Sequence, residues 1–158
     1  RYRLVGSEMC IRDRFILLIN IILSLIAVGL IWTIQLVHYP SMQFISKEKF
    51  IDFHNFHSIR ISLIAMPLMG LELITSFLLL YNNTENSIQI FFLVNLIIVL
   101  LIWLSTFMIQ VPFHNILSKG KNSNIISKLT LSNWLRTFLW TVRSMLMIMI
   151  FLFTSVLI

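Results

Sequence analysis

Ile88–Val111 reads IQIFFLVNLIIVLLIWLSTFMIQV, 24 residues without a charge. A helix needs about 20 predominantly apolar residues to cross a hydrocarbon layer about 30 Å thick, and this stretch meets that requirement alone. Working outward, Ile61–Tyr81 is a second such run in which only Glu72 is charged. Phe15–Val37 carries no charge, and Thr137–Ile158 carries only Arg143. Backbone groups in lipid must pair within the segment, which long unbroken runs achieve as helices. Alternating segments of about ten residues, the signature of a barrel, are absent. The fold class predicted is all-α: an integral membrane four-helix bundle over residues 15–158, with spans at about 15–37, 61–81, 88–111 and 137–158.

Composition agrees. Of the 158 residues, 58% are hydrophobic and 11% charged, against roughly 45–50% and 25% in soluble domains. The net charge of +6 comes from basic residues lying between apolar runs. The partner this implies is an anionic lipid surface rather than nucleic acid. The single cysteine, Cys10, excludes a disulfide framework within one chain.

Residues 1–14, RYRLVGSEMCIRDR, resemble a translated sequencing-adaptor read-through and are set apart as a non-native tail. Without them the chain holds eight Lys and Arg against four Asp and Glu.

The connections differ in length. Asn82–Ser87, NNTENS, is a short turn, whereas His38–Arg60 and Pro112–Arg136 are long. An even number of crossings puts both long loops on one side, with Lys47, Lys49, Arg60, Lys119, Lys121, Lys128 and Arg136; the opposite side has Glu85. The positive-inside bias then places the long loops in the cytoplasm of a bacterial inner membrane, with both termini outside. Pro40 is expected to break the first helix and Ser46 to cap a new one. Phe50, Phe53, His54 and His57 share a face of that helix. Ile125, Ile126 and Leu129 form a similar stripe, so both loops are expected to hold interfacial amphipathic helices. Pro40 with Ile45–Lys49 matches Pro112 with Leu117–Lys121 at an offset of 72, and Arg60 matches Arg136 at 76. The spacing suggests two parallel hairpin repeats.

Two groups of residues can carry chemistry. Glu72 and Arg143 are charges inside spans, where each costs about 2.5–3.5 kcal/mol on insertion scales, so they are expected to face inward and pair. At 1.5 Å per residue, Glu72 lies about 18 Å and Arg143 about 10 Å from the basic span ends, with Asn95 near the depth of Glu72. Ser24, Gln35, Thr106 and Gln110 extend these into a polar seam reaching the cytoplasmic mouth. Pro67 and Gly70 suggest a kink and a close helix approach beside it. The second group, at that mouth, is His38, His54, His57, Arg60, His114 and Arg136. His54 and His57, three residues apart, can ligate one metal or haem iron from one helix face; interfacial anchoring is the alternative.

Val111-Pro112-Phe113-His114-Asn115 and Asn133-Trp134-Leu135-Arg136-Thr137 are similar to motifs of small bacterial four-span membrane proteins of unknown function. More distantly they resemble the anthrone-oxygenase-like family, with Val-Pro-Leu-Asn after span three and Trp…Arg-Thr opening span four. Phe113 and His114 stand where that family has Leu-Asn. The resemblance implies a four-span fold and, as an expectation, oxygenase chemistry. Two functions remain open. One is a non-catalytic accessory, carrier or lipid-binding module. The other is a membrane oxidoreductase or oxygenase acting on a lipophilic aromatic or quinone-like molecule. There the histidines would shape a reactive centre, Arg60 and Arg136 would bind acidic or phenolic groups, and Glu72 would accept a proton.

Overall fold

A computed structural model describes residues 11–83 and 86–156; Cys10, Glu85 and the first ten residues of the tail lie outside this description. Four helical rods form a ring. The first comprises α1 (Ile11–Thr33), a π turn (Ile34–His38), α2 (Tyr39–Ser41) and a 3-10 turn (Met42–Phe44). The second is α3 (Lys47–Asn82). The third comprises α4 (Asn86–Ser105), a π turn (Thr106–Gln110) and α5 (Val111–Leu117), and the fourth is α6 (Ser123–Val156). Rods one and three each pack between rods two and four. Ile11–Arg14, grouped with the tail by sequence, begin α1: Asn82 Nδ2 donates to Asp13 Oδ1 at 3.1 Å, and Arg14 Nη2 to the Thr154 carbonyl at 3.3 Å.

The outer surface is apolar, and buried polar residues are set among apolar clusters inside. Leu63, Ile74, Phe77, Ile90, Met108 and Phe153 are exposed, whereas Asn20, Glu72, Asn95, Asn133 and Arg143 are buried. Water would oppose this inversion; lipid favours it. All four rods are long and apolar enough to cross a membrane. The chain is an integral membrane four-helix bundle.

The connecting segments depart from expectation. Both long loops are helical, but they continue the spans instead of lying as separate helices on the surface. Ser46 adopts an extended backbone at φ −64°, ψ 154°, the conformation of a residue preceding a helix. From there α3 runs 36 residues, about 54 Å. The Phe50–His57 stripe therefore faces the bundle: Phe50 and His54 are buried. Ile126 and Leu129 are likewise buried against Phe50, Tyr39 and Met42. Lys121 Nζ joins the loops by donating to the carbonyls of Gln43 and Ile45, each at 2.7 Å. Residues 61–82 alone are long enough to cross the hydrocarbon, and His54 and His57 precede them on the same helix.

Pro40 does not end the first helix. Proline offers no N–H and crowds the carbonyl four residues back; the wider π turn before it absorbs both defects. The third rod repeats this arrangement before Pro112, and the two π turns lie 72 residues apart. The second rod starts at Lys47 and the fourth at Ser123, the 76-residue offset of Arg60 and Arg136. The element order thus repeats as the sequence spacing does. At Gly70 no atom lies within 4 Å of the position a Cβ would take, so that glycine serves no close approach.

Candidate functional site

Two polar groups are held at different depths, separated by an apolar layer of Ala27, Ile31, Leu68, Met69 and Ile102. Trp140, in the same cluster, touches both: its Nε1 reaches Glu72 Oε2 and its ring face lies 5.0 Å from the Arg136 guanidinium carbon.

The deeper group draws on every rod. The Arg143 guanidinium pairs with Glu72 through Nη1 and Oε1. Its Nε donates to Asn95 Oδ1 at 2.8 Å and its Nη2 to Asn20 Oδ1 at 2.9 Å. Asn20 Nδ2 donates in turn to the hydroxyls of Thr75 and Ser76, at 2.6 and 3.1 Å. Trp140 Nε1 donates to Glu72 Oε2 at 3.0 Å. Both carboxylate oxygens and the guanidinium are thus engaged by protein, which is what makes a buried pair tolerable. The group reads as a lock between helices. Trp140→Phe should weaken the fold by about 1.5–3 kcal/mol, the worth of a hydrogen bond to a charged group; denaturant titration in detergent measures it. No loss would mean the indole contributes packing alone.

The second group lies at the long-loop end. His38 closes the first π turn, His54 and His57 rise on α3, and His114 sits one turn into α5. Their rings converge: His38 stacks on His57 with centroids 3.6 Å apart, and His54 and His114 centroids are 5.3 Å apart. His54 Nε2 and His114 Nδ1 share a hydrogen bond of 3.1 Å. His114 Nε2 and the Tyr39 hydroxyl share another of 3.2 Å. The Tyr39 hydroxyl lies beside the Arg136 guanidinium, and Arg136 Nη1 donates to Asn133 Oδ1 at 3.4 Å. Asn133 Nδ2 donates to Gln35 Oε1 at 2.9 Å, and Gln35 Nε2 to the Thr130 carbonyl at 3.1 Å. His54, His114 and Tyr39 form a run in which each group can both donate and accept a hydrogen bond, whereas Arg136 beside it is a donor only.

Three imidazole nitrogens, His38 Nε2, His57 Nε2 and His54 Nδ1, are buried without a hydrogen-bond partner. An unmet buried polar group costs about 1–3 kcal/mol, so these positions suit a ligand of imidazole. Among the described residues, no three imidazole, carboxylate or thiol groups are placed so that they could hold one metal ion as they stand.

The sequence brings His38, His54, His57, His114 and Arg136 into this account, and the fold gathers all five. Arg60 is a correction. It lies at the edge of the α3 stripe and turns outward over the Phe56 ring, 4.6 Å from its centroid. Tyr39, Asn20 and Asn133 were not singled out. Tyr39 sits beside His38 and before Pro40, and Asn20 is a polar residue in an otherwise apolar run; both were visible signals.

Fold and site together define a class: a four-helix membrane protein with one buried ionic lock and one imidazole centre at the long-loop end. No protein-family model matches the chain, nor does any curated protein or solved structure.

Proposed function

We propose that the chain is a multi-pass protein of a bacterial inner membrane whose working part is the imidazole centre. In this reading it is a non-catalytic accessory or carrier that binds a first-row transition-metal ion. One observation carries it: four imidazoles from three rods meet at one place, with three of their nitrogens buried and unpartnered. Imidazole suits zinc, copper, iron and nickel. His38, His54 and His57 would supply the open nitrogens, with His114 beside them. Binding would exchange the His38–His57 stack and the His54–His114 hydrogen bond for bonds to the ion. Tyr39 and Arg136, joined to His114, would orient its ring. The lysines at the long-loop end support a cytoplasmic position for the centre.

The second reading is oxidoreductase chemistry on a lipophilic molecule. It is favoured by the hydrogen-bonded run of His54, His114 and Tyr39, whose groups can each give and take a proton.

Tag-free protein purified in detergent tests the first reading. Elemental analysis should find stoichiometric transition metal, or take it up after exposure to zinc, copper and iron salts. His54→Ala and His57→Ala should lose it while remaining folded by circular dichroism, with a melting temperature that no longer responds to added metal. An absorption spectrum separates haem from a bare ion. Wild-type protein that remains metal-free after exposure and desalting would refute the proposal.

A further inference from the structure

Arg143 and Arg136 lie two turns apart on α6, both buried, yet their surroundings differ. Arg143 has Glu72. Arg136 is 7% exposed, and among the described residues no carboxylate lies within ion-pair distance of it. Its neighbours are neutral: the Asn133 amide, the Tyr39 hydroxyl and the face of Trp140. Its Nε is buried without a hydrogen-bond partner. A buried cation left unpaired is costly even after relaxation, so the position calls for a negative charge.

The space beside the guanidinium sets the size of that charge. Arg136 lines a void of about 20 Å³, whose other walls include Ile34, Ala65, Leu68, Met69 and Trp140. One water needs about 10–15 Å³, so the void takes a single particle of about that size. Carboxylates, phosphates and every ligand with a carbon chain are too large. A water there would meet Nε but bring no charge. Buried waters ordinarily make about three hydrogen bonds, and these mostly aliphatic walls offer few partners. A monatomic anion has no such requirement. It accepts the Nε–H in a charge-assisted hydrogen bond, neutralises the guanidinium and rests its remaining surface on aliphatic groups. Chloride has close to the size of a water molecule.

We propose that this void holds one chloride ion, bound by Arg136 Nε–H, which is to Arg136 what Glu72 is to Arg143. The inference rests on the unpaired arginine and the space beside it, and does not depend on metal at the imidazole centre.

Thermal unfolding of the detergent-solubilised full chain tests this. The protein is first stripped with a chelator, so that chloride on a bound metal cannot give the signal. It is then held in sodium gluconate, whose anion is too large for the void, and gluconate is replaced stepwise by chloride at constant ionic strength. The melting temperature should rise with the logarithm of chloride concentration once the dissociation constant is passed, as binding to the folded state alone requires. Arg136→Gln should lose this rise. Ala65→Leu, which fills the void without altering the charge, should lose it too, and it decides the matter if Arg136→Gln does not fold. No rise in the wild type would mean that the void holds water only and would overturn the proposal. An undiminished rise in folded Arg136→Gln or in Ala65→Leu would overturn it as well.

Discussion

Arg143→Met should unfold this protein under conditions in which the wild type is stable, whereas the double variant Glu72→Gln/Arg143→Met should recover much of the loss. The single change leaves the Glu72 carboxylate buried and strips partners from Asn20, Asn95 and Ser76. Breaking a buried pair from one side costs about 3–5 kcal/mol, a large part of the 5–15 kcal/mol that holds a typical domain together. Replacing both charges removes the ionic penalty, and Trp140 Nε1 still has an amide oxygen to meet at position 72. Unfolding in mixed detergent micelles, followed by tryptophan fluorescence, gives the three stabilities. Additive losses would show that the pair is not coupled.

Tyr39→Phe should weaken metal affinity at the imidazole centre about 10–100-fold, the usual effect of removing a group that orients a metal-binding histidine. The phenyl ring keeps the packing against Phe50, Leu117 and Leu129. What disappears is the hydroxyl between His114 Nε2 and Arg136. Competition titration with a chromophoric chelator reads the change directly, and circular dichroism melts establish whether the bundle is intact. Unaltered affinity would place His114 outside the ligand set and restrict Tyr39 to a packing role.

Much of this arrangement was legible because lipid penalises polarity so steeply. A lone carboxylate and a lone guanidinium in separate apolar runs have few tolerable solutions, so pairing of Glu72 with Arg143 follows from composition and depth. His54 and His57 were recoverable from helical spacing. What escaped depended on continuity and rotation. Pro40 signalled a break, yet a π turn carried the helix through. Arg60 lies within one turn of His57 but faces outward. Asn20 was visible as an amide inside a span but went unused, although the lock needs it to complete the hydrogen bonding of Arg143. The role of Trp140 between the two groups was equally unreadable, because it depends on Ala27, Ile31, Leu68, Met69 and Ile102 from three rods enclosing its ring.

The π turns at Ile34–His38 and Thr106–Gln110 also set the angular phase of everything after them. One residue beyond α-helical register rotates the following side chains by about 100°. Tyr39 and His114 both lie just past such a slip, and their aim toward His54 depends on it. Excising one residue from either turn would leave the composition almost untouched and swing a whole rod end away from its neighbours.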